Sequence, residues 1–169
     1  MTKTSRWDAD EALTALYTGH YAALVRLAAL LVRSSGEAEE IVQDSFVAMH
    51  SKWGRLREPD KAVGYLRRTV VNRARSAQRH HRVADKHNVS SSQVAASAEH
   101  SALAAESRAV VMDALYRLPT RQREVLVLRY YGDLSEADIA AALGISRGAV
   151  KSHASRGIAA LHSTLEDQT

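Results

Sequence analysis

The chain has 169 residues, 46% hydrophobic and 25% charged, with a formal net charge of +4 and no cysteine. That is enough apolar material for one ordinary domain or two small ones, and it excludes a disulfide framework and thiolate chemistry. The longest unbroken apolar run, residues 27–32, is far too short to span a bilayer, and acids stand near the amino terminus where a signal peptide is apolar. A soluble cytoplasmic protein with no membrane partner is expected.

Alanine and leucine are abundant, prolines number two, and no segment alternates β-branched with polar residues. The expected fold is therefore all-α. Residues 8–32 place Leu13, Leu16, Tyr17, Leu24, Leu27 and Leu31 on one helical stripe, with Asp8 and Glu11 as a capping pair. Residues 37–53 carry a second stripe of Val42, Phe46, Met49 and Trp53. The opposite side holds Glu40, Asp44, Val47 and Ser51, and the stretch has four acids without a base up to Ala48. A solvated acidic face and a protein contact read equally well from this pattern, with Val47 the residue that suits a contact.

A loop with Pro59 spans residues 54–62, and a third helix is predicted over residues 63–83, with Val63, Leu66, Val70, Ala74 and Ala77 facing the core. Three apolar stripes make a small bundle. Arg68, Asn72, Arg75, Arg79 and Arg82 share the other face of the third helix, and no acid intervenes before Asp85. A salt-bridged surface helix would mix both signs, so this face suits a phosphate backbone, with Asn72 able to reach a base edge. Arg73 falls within the apolar stripe and is expected to be structural.

Residues 87–105 hold five serines, six alanines and the single charge Glu99, which reads as a flexible tether with an alanine-rich end that can be helical. Fully extended it reaches roughly 60 Å, about 18 base pairs of B-form DNA. Two small helical domains are thus expected, residues 1–86 and 107–169, joined by a linker over 87–106. In the second, helices over 107–118 and 121–131 flank Pro119. A short helix capped by Ser135 and Asp138 and stopped by Gly144 follows, then a longer one capped by Ser146 with Val150, Ala154, Ile158, Leu161 and Leu165 on its core face. This is a helix-turn-helix. The non-core face of its second helix offers Arg147, Lys151, Ser152, His153, Ser155 and Arg156, residue types that bond bases and phosphates.

Enzyme classes fare poorly. No histidine pair stands at i,i+4, and there is neither a phosphate-cradling glycine loop nor a Gly-x-Ser-x-Gly elbow. No catalytic residue, metal or cofactor is expected.

Three segments together resemble the extracytoplasmic-function (ECF) sigma factors of the sigma-70 family, in particular an actinobacterial SigE-like branch. "EAEEIVQDSFVAMHSKW" is similar to the conserved region-two helix, "GYLRRTVVNRARSAQRHHR" to the adjoining promoter-melting helix, and "LPTRQREVLVLRYYGDLSEADIAAALGISRGAVKSHASRGIAAL" to region four. The resemblance implies a promoter-specificity subunit of RNA polymerase. Glu40, Gln43, Asp44 and Val47 would dock on the clamp-helix coiled coil of β′. Arg68, Asn72, Arg75, Arg79 and Arg82 would engage the minus-10 element, with the 54–62 loop holding a flipped base. The recognition helix would read the minus-35 element while its domain sits on the β-flap, and an anti-sigma factor is a further candidate partner. Two positions depart from the family's usual pattern: Ser76, where many relatives carry an acid, and His153, where many carry arginine. The alternative from another class is a stand-alone helix-turn-helix regulator of LuxR-like type, whose output-domain pattern is nearly shared.

Overall fold

A computed structural model describes residues 4–85 and 102–168. Residues 87–101 of the predicted tether, and the side chains of Asp8 and Arg82, lie outside the described residues. The chain divides into two compact units, Met1–Val94 and Ala95–Thr169, and every described element is helical.

The first unit is built from α1 (Thr4–Val32), α2 (Ser35–Lys52) and α3 (Ala62–Asp85), each packed on the other two. Leu24, Leu27, Ala28 and Leu31 of α1, Val42, Phe46 and Met49 of α2, and Leu66, Val70, Val71 and Ala74 of α3 form its core. Each large side chain among them contributes on the order of 1.5–3 kcal/mol by leaving water. The helix α1 begins at Thr4 and runs through Asp8, so Asp8 does not cap it. Its segment Ala9–Val32 is long and apolar enough to cross a membrane by length and composition. Judging by unbroken runs alone overlooked this; here the segment serves as a core helix of the bundle.

Ser34, in extended conformation, caps α2 by accepting from the Glu37 amide at 3.4 Å. The 54–62 loop is not featureless: 3-10 turns at Trp53–Arg55 and Pro59–Lys61 lead into α3. Arg73 is exposed, against expectation, while Val71 is fully buried. As α3 crosses its neighbours its buried stripe drifts around the helix, from Ala62 and Leu66 to Val71 and Ala74, and Arg73 is left outside it. Gln78, further along that drift, donates from Nε2 to the carbonyl of Leu31, one of the acceptors left over at the end of α1.

The second unit contains α4 (Ala102–Arg117), α5 (Thr120–Leu126), a π-helical continuation (Val127–Tyr131), α6 (Glu136–Leu143) and α7 (Arg147–Glu166). The alanine-rich end of the predicted tether is helical: α4 takes in residues 102–106. From Arg123 to Leu128 every residue is buried. The charge of Glu124 is met by Arg121 at 2.9 Å, and Arg123 lies over the Tyr116 ring at 5.8 Å. A helix buried all round carries no amphipathic period, which is why the sequence pattern showed neither these buried charges nor the π turn.

Candidate nucleic-acid interface

On α2, Glu40, Gln43, Asp44 and Val47 are all exposed, and Val47 is 66% so. Phe46 and Met49 turn the other way into the core, so the acidic face and the core stripe occupy opposite sides of one helix. Beside this face stands an aromatic pair, Tyr17 and Tyr21, the first of which the sequence placed differently. Tyr17 was expected in the core stripe of α1; it is 43% exposed, stacked on Tyr21 at 4.5 Å and edge-on to Phe46 at 5.1 Å. Gln43 donates to the Tyr21 hydroxyl at 3.4 Å, tying the pair to the acidic face. Desolvation, with the nearby Tyr21 and Glu39, pushes the Tyr17 phenol above its ordinary value, so at neutral pH it stays a donor.

On α3, Arg68, Asn72 and Arg79 are exposed, and neither Arg68 nor Arg79 has an ion-pair partner among the described residues. Arg75 is half-buried and engaged with a neighbour, because the drift of the buried stripe brings it toward the bundle. Four of the five predicted residues are thus placed on one side of α3, three of them open to solvent. Trp53 is half-buried at the start of the first 3-10 turn. His81, at the far end of α3, bonds Glu37 of α2 at 2.8 Å, and His50 of α2 bonds Asp10 of α1 at 3.0 Å.

In the second unit the helix-turn-helix forms as its caps dictate. Ser135 accepts from the Asp138 amide at 3.1 Å and donates to the Asp138 carboxylate at 2.7 Å. Gly144 closes α6 at φ 66°, ψ 36°. Ser146 accepts from the Ala149 amide at 3.0 Å and so caps α7, whose first residue is Arg147. Val150 and Ala154 are buried, which turns Arg147, Lys151, Ser155 and Arg156 to solvent. Ser152 and His153 are half-buried. The Ser152 hydroxyl accepts from Arg156 Nη2 at 2.7 Å and so orients that guanidinium. The sequence did not single out Glu136, which lies near both Arg147 and Lys151. The only signal for it was an acid in the first turn of the preceding helix, whose direction the turn decides. Among the described residues no group of three His, Asp or Glu side chains is placed to hold a metal ion.

Each unit matches a family model: "Sigma-70 region 2" over residues 16–83 and "Sigma-70, region 4" over residues 108–161. The RNA polymerase sigma-E factor of Streptomyces avermitilis is 34% identical over 86% of this chain and 80% of its own length. The ECF RNA polymerase sigma factor SigL of Mycobacterium tuberculosis is 31% identical over 99% and 97%. In fold, the chain is similar to the sigma factor RpoE of Bartonella quintana, solved with the anti-sigma factor NepR. The TM-score is 0.73 at 23% identity, covering 90% of this chain and 96% of that one. An acidic-faced helix and a basic-faced helix in one bundle, followed by a capped helix-turn-helix, thus coincide with both conserved regions in order, and the chain belongs to the extracytoplasmic-function sigma factors of the sigma-70 family.

Proposed function

We propose that this chain, a sigma factor that directs RNA polymerase to promoters and is not itself an enzyme, divides that work between its two lobes. Residues 1–86 hold core polymerase and open the minus-10 element, residues 87–106 tether, and residues 107–169 read the minus-35 element. Glu40, Gln43, Asp44 and Val47 dock on the β′ clamp helices, with Tyr17 and Tyr21 alongside. Arg68, Asn72, Arg75, Arg79 and Arg82 engage the minus-10 DNA, and the 54–62 loop receives a base drawn from the stack. In the second lobe Arg147, Lys151, Ser155 and Arg156 face the minus-35 element, with Ser152 and His153 behind them, while the lobe rests on the β-flap. The protein works in the cytoplasm, and an anti-sigma factor is a further partner, as NepR is for RpoE.

The observation that carries this reading is the separation of charge within the first bundle. One face of α2 is exposed and acidic, whereas α3 exposes Arg68 and Arg79 without ion-pair partners among the described residues. A polyanion and a protein partner can then be held at once on different faces. The LuxR-like alternative has no use for such a bundle, and the region-two match speaks against it. Runoff transcription with purified core polymerase, with and without the chain, tests the reading. Promoter-specific transcripts should appear only when both are present; transcription unaffected by the chain would overturn it.

A further inference from the structure

Helix α7 has no acid before Glu166, yet a carboxylate stands beside its first turn. Glu136, the first residue of α6, places Oε1 3.7 Å from Arg147 Nε and 3.8 Å from Lys151 Nζ. The Glu136 side chain is 21% exposed, and those of Arg147 and Lys151 are 69% and 71% exposed. The anion is therefore held by its surroundings while the two cations can swing toward a ligand. Both separations exceed hydrogen-bond reach. Arg147 and Lys151 thus keep their donors available while feeling the negative charge. Capping of α6 does not need this carboxylate, because Ser135 and Asp138 already supply it.

We propose that Glu136 is a specificity-determining residue of the recognition helix. Its carboxylate weakens the pull of Arg147 and Lys151 on any phosphate backbone while leaving their donors directed at base edges of the minus-35 element. The proposal rests on the reading of α7 as the DNA-reading helix. Attraction to phosphates is the same for every duplex and makes up almost all of non-specific binding. On a wrong duplex Arg147 and Lys151 have only phosphates to take, so a carboxylate beside them weakens binding there; on a correct site their donors are taken up by base edges instead. A hydrogen bond to a base edge depends instead on where the donor sits. Reducing the first and keeping the second widens the ratio between a correct site and the rest of the genome, which is the quantity that governs promoter choice.

Glu136→Gln removes the charge and keeps the shape. The holoenzyme assembled from core polymerase and the full chain would be titrated with two duplexes. One is a promoter that the wild-type holoenzyme selects from a random pool; the other is the same promoter with its minus-35 element scrambled. The variant should bind the scrambled duplex about two- to fivefold tighter, with a smaller change on the selected one. Its salt dependence on the scrambled duplex should steepen by about one in the log–log slope. Equal changes on both duplexes, or no change, would overturn the proposal if Lys151→Ala still weakens binding to the selected promoter in the same assay. If Arg147→Ala and Lys151→Ala both leave that binding untouched, the reading of α7 itself fails and the proposal falls with it.

Discussion

At Gly144 the backbone sits at φ 66°, and a Cβ there would meet nothing within 4 Å. Only backbone strain opposes a side chain, so Gly144→Ala should cost about 1–2 kcal/mol in urea unfolding. Gly157 is the reverse case: its backbone is helical, but a Cβ would fall 2.9 Å from Leu126 Cδ1 and 3.2 Å from its Cγ. Leu126 is itself buried and cannot swing away freely. Gly157→Val should therefore destabilise the second unit by about 1–3 kcal/mol through overpacking, and by less in a Leu126→Ala background, where the clashing atoms are gone. Equal penalties in both backgrounds would show that α5 and α7 do not meet at this point. Gly144 was legible in the sequence because a helix stop needs only its neighbours. Gly157 was not, since the residue it accommodates belongs to another helix and nothing local marks the approach.

The elements themselves were legible where one face is buried and the other wet. On α2 the acidic face predicted from the spacing is the exposed one, with Val47 standing in it. Long helices that cross their neighbours were harder. The buried stripe of α3 drifts, so Arg73 left the core side and Arg75 moved toward it. The exposed α2 face makes a clean test. Glu40→Arg with Asp44→Arg removes no packing, and the melting free energy should change by no more than about 0.5 kcal/mol for each substitution. Co-purification with core polymerase should be lost; wild-type affinity would remove the docking role. The recognition helix offers a second test through its cap. Ser146→Ala leaves the Ala149 amide without its 3.0 Å acceptor and should cost about 1 kcal/mol. Because Arg147 lies directly after this cap, transcription from promoters with an intact minus-35 element should fall further than transcription from templates lacking it.

For the molecule as a whole, the proposed function sets the two units one problem: opening a duplex at one element while held at another. Drawing a base from the stack costs a few kcal/mol, which a pocket and backbone contacts must offset together. On the proposed reading those duties are divided along α3. Asn72 is exposed and uncharged among arginines, so it suits a base; Arg79 is exposed with no ion-pair partner among the described residues, so it suits a phosphate. The two should then fail differently. Asn72→Ala should reduce transcription on duplex promoters far more than on templates whose minus-10 bubble is already open, because the bubble removes the step it serves. Arg79→Ala should weaken both, since phosphates remain in the bubble, and should lower the log–log salt slope by about one. Its deficit should thus be largest at low salt and narrow as salt rises. Permanganate reactivity of promoter thymines would report opening directly. If Asn72→Ala opened duplex promoters as well as the unaltered chain, the base-holding role would have to lie elsewhere on the 54–62 loop or on α3.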